Sequence, residues 1–463
     1  MSASGTVLVV GVGGLGTPCA RTLADAGVAH LVLMDPDVID ASNLPRQLLF
    51  EADDVGRPKA EVAAARLHRP GLDVRAVVGR FDATTAAAAL RGVDVVVDAT
   101  DGAASKDVVH GLAVAAGLPV VHAAALGSEA RVLDVAAGGR PCFACLFGLL
   151  ATGDDADTCA RFGVFPGVVR AAGELAAAAA LDRLASPRAP TKGLRVLDLG
   201  AGRAVTLAVA ADPQCPVCRP GAPAPVFAPP SAAPRAVAEA PAPPAGALDL
   251  RAESCPLNLL RARRAVGALA PGGTLEVWLG AEGAASVPDG LVSLGHAVTT
   301  RTPRGDGLVV TVRRGGTRPT GHASNVAGSA AAGTAPPVVG DDAWLRRYAR
   351  QIVLPGVGED GQRRWGEAQA TVTGSGDAAD ACAETLARGG FGAVARVPGA
   401  VGAAVEVTTR GPGTVRCALA RGGVGPTARA RGALLADAVM RAVLELPATS
   451  DVVVRDDGTV GAA

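Results

Sequence analysis

The residues best suited to chemistry are two pairs of closely spaced cysteines, Cys142/Cys145 and Cys215/Cys218. Each pair has C-x-x-C spacing, and four thiolates are the ligand set of a closed tetrahedral zinc site. We therefore expect the two pairs to bind one structural Zn²⁺ that has no open coordination position for catalysis. The alternative is that the pairs are unrelated redox-active or buried thiols.

A glycine-rich turn follows the apolar run at residues 7–10, and its glycines are Gly11, Gly13, Gly14 and Gly16. Between a strand and a helix, such a turn lets backbone N–H groups approach phosphates at the helix N-terminus. The pattern predicts a Rossmann-like parallel sheet that binds NAD, FAD or ATP. Asp35, at the end of the next apolar run, stands where a ribose-binding carboxylate belongs.

Three further segments occur in order behind this turn: SNLPRQ at 42–47, DVGRPKA at 54–60 and VVVDATD at 95–101. With the turn and the cysteine pairs, they closely resemble the adenylating domain of the MoeB/ThiF/ubiquitin-activating family. The resemblance implies an ATP site in which each residue has a role. Asp35 would hold the ribose, Asp101 would carry Mg²⁺, and the triphosphate would be gripped by Asn43, Arg46 and Lys59.

These roles agree with the chemistry of adenylation. A carboxylate that attacks the α-phosphate expels pyrophosphate and loads negative charge onto phosphate oxygens, which fixed cations such as Arg46 and Lys59 stabilise. Either residue alone would be interpreted as a solvated surface cation. The chain departs from the family at Gly102 and Lys106, where Asn and Arg are usual, and a lysine cannot reproduce the planar fork of an arginine.

Cys159 occupies the position of a cysteine that some members of the family use to form a covalent adduct with the activated carrier. The resemblance therefore makes Cys159 a candidate catalytic thiol. A structural cysteine in an apolar setting is the alternative.

Composition limits the classes of function. A chain of 463 residues with 49% apolar residues is long enough for about three domains. Lys+Arg and Asp+Glu balance at 44 each, so no net field favours nucleic acid or an anionic membrane. The apolar start has no cationic region before it, which argues against a signal peptide. Nine cysteines used as metal ligands and thiols fit a reducing cytoplasm.

We divide the chain into three modules and two linkers: an adenylating domain at 1–220, a Pro/Ala-rich linker at 221–245, a small α+β domain at 246–314, a flexible linker at 315–339 and a last module at 340–463. The small domain resembles the TusA/SirA sulfur-relay fold at Cys255-Pro256 and at PGGTLEV, 271–277. A thiol at a helix start is favoured as a thiolate, so Cys255 is a candidate persulfide carrier. An ordinary helix-start residue in a vestigial domain is the alternative.

Near its start the last module carries RYARQIVLP at 347–355, which resembles the segment that normally opens a MoeB/ThiF domain. The turn that follows, GSGDAA at 374–379, is degenerate, and Asp377 would repel phosphate, so we expect a second Rossmann-like half that binds no nucleotide. In the family the second arginine of the opening segment reaches the partner's ATP. Arg350 would supply that cation within an intramolecular pseudo-dimer, a homodimer being the other arrangement, or would only cap a surface helix.

The sequence thus predicts an ATP-dependent adenylyltransferase that uses ATP, Mg²⁺ and Zn²⁺. Its substrate would be the C-terminal Gly-Gly carboxylate of a small ubiquitin-like sulfur carrier, and sulfur from Cys255 would convert it to a thiocarboxylate. A persulfide donor such as a cysteine desulfurase would be a further partner. The alternatives are adenylation of a peptide, another carboxylate or a modified tRNA base, and a non-catalytic protein that docks a carrier.

Overall fold

The computed structural model describes residues 3–148, 163–198, 203–222, 242–315, 339–408, 414–418, 426–444, 452–454 and 460–462. The chain forms two units. The first consists of Met1–Asp155, Val164–Pro230 and Gly361–Ala463, and the second of Ala156–Gly163 and Ser231–Asp360.

The first unit contains an eight-stranded sheet with the order β3-β2-β1-β4-β5-β6-β7-β8. Its parallel part is built from β1 (Ala3–Val10), β2 (Val28–Asp35), β3 (Asp73–Val78), β4 (Val95–Asp98) and β5 (Val120–Leu126). Antiparallel strands extend it, namely β6 (Glu129–Val135), β7 (Leu194–Asp198) and β8 (Arg203–Leu207). The central strands are continuous apolar runs because both faces of a parallel sheet are buried. A Rossmann-like parallel sheet is thus confirmed.

The helices of this part are α1 (Gly16–Asp25), α2 (Lys59–Leu67), α3 (Ala86–Ala89), α4 (Ala103–Ala115), α5 (Phe143–Phe147) and α6 (Pro166–Ala185). Two single 3₁₀ turns, Ala41–Asn43 and Ala52–Asp54, lie between β2 and α2. Helix α6 is buried along most of its length, and its charged pair Arg170 and Glu174 is bonded at 2.8 Å. Within the described ranges, no helix has both the length and the apolar character needed to cross a bilayer.

The C-terminal part of the first unit holds a small sheet with the order β13-β14-β15. Its elements are β13 (Gln369–Ser375), α11 (Asp377–Arg388), β14 (Ala393–Thr408), β15 (Thr414–Ala418) and α12 (Pro426–Val443), followed by the short pair β16 (Val452–Val454) and β17 (Val460–Ala462). Helix α10 (Gly358–Glu367) precedes β13 in the chain. It contains the position, between Asp360 and Gly361, at which the chain passes from the second unit to the first.

One packing detail occurs twice in the first unit. Gly173 of α6 lies against the carbonyl of Leu15 at the start of α1, and Gly432 of α12 lies against the carbonyl of Ala378 at the start of α11. A Cβ would approach these carbonyl oxygens to 2.3 Å and 1.9 Å. The contact of α1 with α6 and the contact of α11 with α12 are therefore made in the same way.

The second unit has a four-stranded sheet with the order β11-β12-β10-β9. Its elements, in chain order, are β9 (Leu248–Leu250), α7 (Leu257–Ala268), β10 (Thr274–Leu279), α8 (Ala281–Ser293), β11 (Ala297–Arg304) and β12 (Gly307–Arg313). Both helices supply apolar residues to a core over the sheet, among them Val266 of α7 and Leu291 of α8.

Helix α9 (Asp342–Ile352) belongs to this second unit, whereas the sequence grouped it with 361–463. Its apolar residues Leu345 and Ile352 cluster with Leu257 and Leu260 of α7. Burial of this face accounts for the position of the helix.

Candidate active site

The glycine turn lies at the carboxyl end of β1, where the strand order reverses. Chain connections leave β1 toward β2 and β4 toward β5, so a crevice opens between them. Gly11 has φ +88°, and a Cβ there would lie 2.8 Å from the carbonyl oxygen of Ala99. A Cβ at Gly16 would lie 1.9 Å from the carbonyl oxygen of Gly11. Glycine is required at both positions, and it directs the N-terminus of α1 into the crevice.

Asp35 braces this turn from the end of β2. Its Oδ2 accepts a hydrogen bond from the backbone N–H of Val12 at 2.6 Å, and its Oδ1 accepts one from Asp37 at 2.8 Å. Burial raises the pKa of Asp35, while the charge of Lys59 and these two hydrogen bonds oppose the rise. The carboxylate therefore lies beside the glycine turn, and its role at a ribose stays a prediction.

The loop that carries Asn43 and Arg46 is ordered by its own polar groups. The side chain of Asn43 accepts from the backbone N–H of Asp40 at 3.0 Å, and Asp40 accepts from Ser42 at 2.8 Å. Arg46 donates to the carbonyl of Ser42 at 2.6 Å, and its Cγ would be 3.4 Å from a Cβ placed on Gly14. The aliphatic part of the Arg46 side chain thus packs against the glycine turn, and its role at phosphate stays a prediction.

Lys59 is the first residue of α2, and its side chain is largely buried. Its Nζ lies 2.9 Å from Asp37 Oδ2. Because its charge also acts on Asp35, Lys59 belongs to the same side of the crevice as the ribose candidate. The amine is therefore held in place by the carboxylate of Asp37.

Asp101 is exposed and comes shortly after the carboxyl end of β4. The preceding residue, Thr100, donates to Asp98 through its hydroxyl at 2.6 Å and through its backbone N–H at 3.0 Å. These bonds fix the path of the chain into Asp101. An exposed carboxylate at this edge is the type of ligand that Mg²⁺ shares with substrate phosphates.

A buried polar network under this segment was missed by the sequence analysis. His122 Nδ1 lies 2.8 Å from Asp98 Oδ2, and His122 Nε2 lies 3.1 Å from His110 Nδ1. Lys106 donates to the carbonyl of Ala123 at 2.8 Å and lies 3.4 Å from Asp98. The only signal in the sequence was that His122 interrupts the apolar run of β5.

The network shows what Lys106 does at the position where the family usually has an arginine. Burial alone would raise the pKa of Asp98, but the charge of Lys106 and the hydrogen bond of His122 bring it well below its ordinary value. Burial lowers the pKa of both His110 and His122, so both are neutral near pH 7. Lys106 therefore serves a buried carboxylate and stabilises the segment that leads to Asp101.

The two cysteine pairs come together. Ligand atoms of Cys142, Cys145, Cys215 and Cys218 all lie within 4.8 Å of one another. Four sulfurs bound to one Zn²⁺ at ~2.3 Å would be separated by similar distances. Burial raises the pKa of the Cys142 thiol, and burial also raises that of Cys218 to about 12. A divalent cation would favour the thiolates, so the donor set fits a closed metal site.

Cys255 lies in the second unit just before α7. It is buried, with its Sγ 3.1 Å from Ser286 Oγ of α8. The sequence analysis expected the helix start to favour a thiolate, whereas burial raises the pKa of this thiol. Desolvation outweighs the hydrogen bond from Ser286 and the charge of Arg350, both of which lower the pKa.

Arg350, on α9, lies in the same unit as Cys255. Among the described residues, none accepts a hydrogen bond from its buried Nε. Its charge acts on the Cys255 thiol. The role at ATP that the sequence analysis gave to Arg350 stays a prediction. Cys159 lies outside the described residues, so its catalytic role also stays a prediction.

The fold and this crevice define a nucleotide-binding α/β domain, and comparison with known proteins gives its class. The ThiF family model matches residues 2–217, and the sulfurtransferase TusA model matches 247–314. The SAMP-activating enzyme E1 of Haloferax volcanii is 37% identical over 224 residues, which cover 47% of this chain and 82% of that protein. The chain belongs to the ThiF family, and a TusA-type domain follows the family domain.

Further relatives are named for adenylyl transfer, and one of them also for sulfur transfer. The sulfur carrier protein ThiS adenylyltransferase of Escherichia coli is 34% identical over 46% of this chain and 85% of its own length. The adenylyltransferase and sulfurtransferase UBA4 of Yarrowia lipolytica is 38% identical over 35% of this chain, and the chain spans only 41% of that relative. A crystal structure of Escherichia coli MccB matches 46% of this chain and 66% of its own at 24% identity, with a TM-score of 0.39, which supports no further conclusion.

Proposed function

We propose that this protein is an ATP-dependent adenylyltransferase that activates the C-terminal carboxylate of a ubiquitin-like sulfur carrier and then transfers sulfur to it. The observation that carries the proposal is the arrangement at the crevice between β1 and β4. There the glycine turn, Asp35, Arg46, Lys59 and Asp101 gather at the carboxyl edge of one sheet. The TusA match on the same chain supports the sulfur step.

The first step needs charge stabilisation more than acid–base chemistry. A carboxylate oxygen of the carrier forms a bond to the α-phosphorus of ATP, the bond to the β-phosphate oxygen breaks, and pyrophosphate leaves. Arg46 over the glycine turn and Lys59 beside Asp35 supply fixed positive charge for the phosphate oxygens. Mg²⁺ held by Asp101 would neutralise the leaving pyrophosphate.

The second step uses the thiol of Cys255. A persulfide on Cys255, loaded by a donor such as a cysteine desulfurase, attacks the carbonyl carbon of the acyl adenylate and AMP leaves. The product is an acyl persulfide on Cys255. A second thiol, for which Cys159 is the candidate, attacks the Cys255 sulfur, releases the thiocarboxylate and leaves a disulfide that an external thiol reduces.

The buried state of Cys255 gives this step a physical requirement. A thiol shielded from solvent reacts slowly, because it must lose its proton and meet a partner. Sulfur loading therefore requires the surroundings of Cys255 to open. Because Cys255 and the adenylating domain are on one chain, the effective concentration of the persulfide at the acyl adenylate is raised in the second step.

Three further assignments belong to this proposal. The four-cysteine cluster binds Zn²⁺ as a structural ion, since no exposed coordination position is needed for the reaction. Residues 361–463 are a degenerate half of the same fold, supported by the repeated contacts of Gly173 and Gly432. The seven cysteines that the structure describes form no disulfide with one another, which fits the reducing cytoplasm proposed from the sequence.

The direct test is ATP–pyrophosphate exchange with purified carriers that end in Gly-Gly. Exchange that depends on the carrier and falls at least 100-fold in Arg46→Ala supports adenylation of a carrier. Exchange with small carboxylates or peptides and without a carrier would instead assign a small-substrate adenylating enzyme. No exchange with any substrate would leave a docking protein.

Mass spectrometry of the carrier tests the sulfur step. With a cysteine desulfurase and cysteine present, one oxygen of the C-terminal carboxylate should be replaced by sulfur. Cys255→Ala should abolish this mass change and leave pyrophosphate exchange intact. Unchanged sulfur transfer in that variant would remove Cys255 from the mechanism.

A further inference from the structure

The loop at 44–51 is held from two directions. On one side it is tied to the glycine turn: the backbone N–H of Leu48 donates to Thr17 Oγ1 at 3.0 Å, and this hydroxyl donates to the carbonyl of Gly13 at 2.8 Å. On the other side it meets Arg388, the last residue of α11. The loop carries Arg46, so its position decides where that cation lies.

Arg388 binds this loop through several acceptors at once. Its guanidinium donates to the carbonyls of Leu44, Leu48 and Phe50, each at 3.2 Å. It also donates to the carboxylate of Glu51 at 2.6 Å, and only 15% of its side chain is exposed. A planar fork with five donors can serve such a set of acceptors, which an ammonium group cannot.

These carbonyls flank Arg46 in the sequence. Within the loop, the backbone N–H of Arg46 donates to Asn43 at 3.1 Å and that of Phe50 donates to Gln47 at 3.3 Å. The carbonyls of Leu44, Leu48 and Phe50 point outward from this turn toward α11. Without the guanidinium of Arg388, these half-buried carbonyls would have lost their hydrogen bonds. The cost of leaving them unpaired would favour another conformation of the loop.

We infer that Arg388 of the C-terminal segment is a positioning residue for the adenylating site, because it holds the 44–51 loop in the conformation that places Arg46 over the glycine turn. This inference rests on the proposed function for its effect on ATP. It gives residues 361–463 a task in the reaction that needs no nucleotide of their own. The C-terminal segment contributes to catalysis through the loop and not through contact with substrate.

The inference predicts both a structural and a kinetic change. In Arg388→Ala, amide hydrogen exchange at residues 44–51 should become at least tenfold faster, because the loop samples open conformations more often. If the loop is correctly placed in about one molecule in ten, the KM for ATP should rise about tenfold, with kcat changed less. Arg388→Lys keeps the charge near Glu51 but lacks the fork, so it should show most of the same effect.

Two control variants separate this role from simple loosening of the C-terminal segment. Arg429→Ala removes an ion pair between α12 and Asp25 of α1, at 3.0 Å, which involves neither the loop nor the partners of Arg388. Arg396→Ala removes an ion pair with Asp380 on the outer side of the same segment. Both should leave exchange at 44–51 and the KM for ATP close to wild type.

Unchanged loop exchange in a folded Arg388→Ala protein would overturn the inference, as would an equal rise of the KM for ATP in Arg429→Ala. Hydrogen exchange needs no substrate. If the wild-type protein shows no pyrophosphate exchange with any substrate, the proposed function fails, and loop exchange still decides whether Arg388 orders the loop.

Discussion

Arg21 and Glu384 occupy corresponding positions in two similar helices and bind each other with both nitrogens and both oxygens, at 3.0 Å and 2.8 Å. When Gly11 is aligned with Gly374, Arg21 of α1 aligns with Glu384 of α11. Two copies of α1 in the same arrangement would bring two arginines together, whereas α1 against α11 joins opposite charges. The charges thus favour the C-terminal segment as the occupant of this face.

Reversing the charge of Glu384 should release the C-terminal segment. Glu384 also accepts from Arg170 and lies 3.5 Å from Arg388, so Glu384→Arg would gather like charges in a half-buried site. We expect a loss of about 3 kcal/mol in the free energy of unfolding and faster limited proteolysis after residue 361. Thermal and urea unfolding measure the first effect.

Two further variants interpret that result. The double variant Arg21→Glu/Glu384→Arg should recover part of the lost stability, and the presence of Arg170 limits the recovery. Asp380→Arg, on the same helix but with a mostly exposed carboxylate, should cost less than about 1 kcal/mol. Equal losses in Asp380→Arg and Glu384→Arg would contradict the role of the buried pair.

Asp437 should make stability depend on pH. It is fully buried and accepts from the backbone N–H groups of Gly167 and Val168 at the start of α6, at 2.9 Å and 2.6 Å. Burial raises its pKa from 3.8 to about 7, against these hydrogen bonds and the charge of Arg441. The folded state therefore binds the proton more tightly than the unfolded state, and stability is lost as the pH rises from about 4 to about 7.

The corresponding experiment compares urea unfolding at pH 5 and pH 8. Asp437→Asn should remove most of the decrease, because the amide oxygen still accepts a hydrogen bond and carries no charge. Glu384 should make stability change with pH in the opposite direction. Burial raises the pKa of Glu384, but the hydrogen bond from Arg21 and the charge of Arg170 outweigh burial and lower this pKa to about 2. The stability that Glu384 contributes is therefore lost only as the pH falls below about 4.5. An unchanged pH profile in Asp437→Asn would show that this group does not titrate in the range.

Arg350 should control the reactivity of Cys255. Its charge lowers the pKa of a thiol that burial raises, so Arg350→Ala should move the pKa further up. Alkylation of Cys255 by iodoacetamide, followed by mass spectrometry across pH 7 to 10, should become severalfold slower at each pH. Arg347→Ala on the same helix, where the guanidinium lies over Tyr348, is the matched control.

A second measurement on the same variant tests the role predicted from the sequence. If Arg350 supplies a cation to ATP, pyrophosphate exchange should fall in Arg350→Ala. Slower alkylation with unchanged exchange would limit Arg350 to the sulfur site. Slower exchange with unchanged alkylation would instead support the adenylating site.

The cysteine cluster should bind one zinc ion per chain. Cys142 and Cys215 are buried in the core that contains Phe143 and Val217, so loss of the ion should destabilise that core by several kcal/mol. Elemental analysis should find zinc in the wild-type protein and none in Cys142→Ala, and chelation should lower the melting temperature. Cys19→Ala, a buried cysteine outside the cluster, should retain the metal.

Features set by residues close together in the sequence could be predicted, and contacts between distant segments could not. The glycine turn and the acid at the end of β2 are local patterns, since each needs a particular residue at a particular strand end. Arg46 and Lys59 could be assigned because their segments resemble a known family. The pairing of Asp98, His110 and His122 could not be predicted, because those residues come from three elements that meet only when the sheet forms.

The sequence by itself determined the Rossmann-like sheet, the nucleotide turn, the clustering of cysteines and the relay-type domain, because periodicity, glycine positions and close spacing act over short distances. Only the tertiary structure decided that Cys255 is buried, that Lys106 serves Asp98 and that Arg388 binds the loop of Arg46. The physical reason is that desolvation and hydrogen bonding between distant segments depend on which surfaces meet, and no local pattern records that.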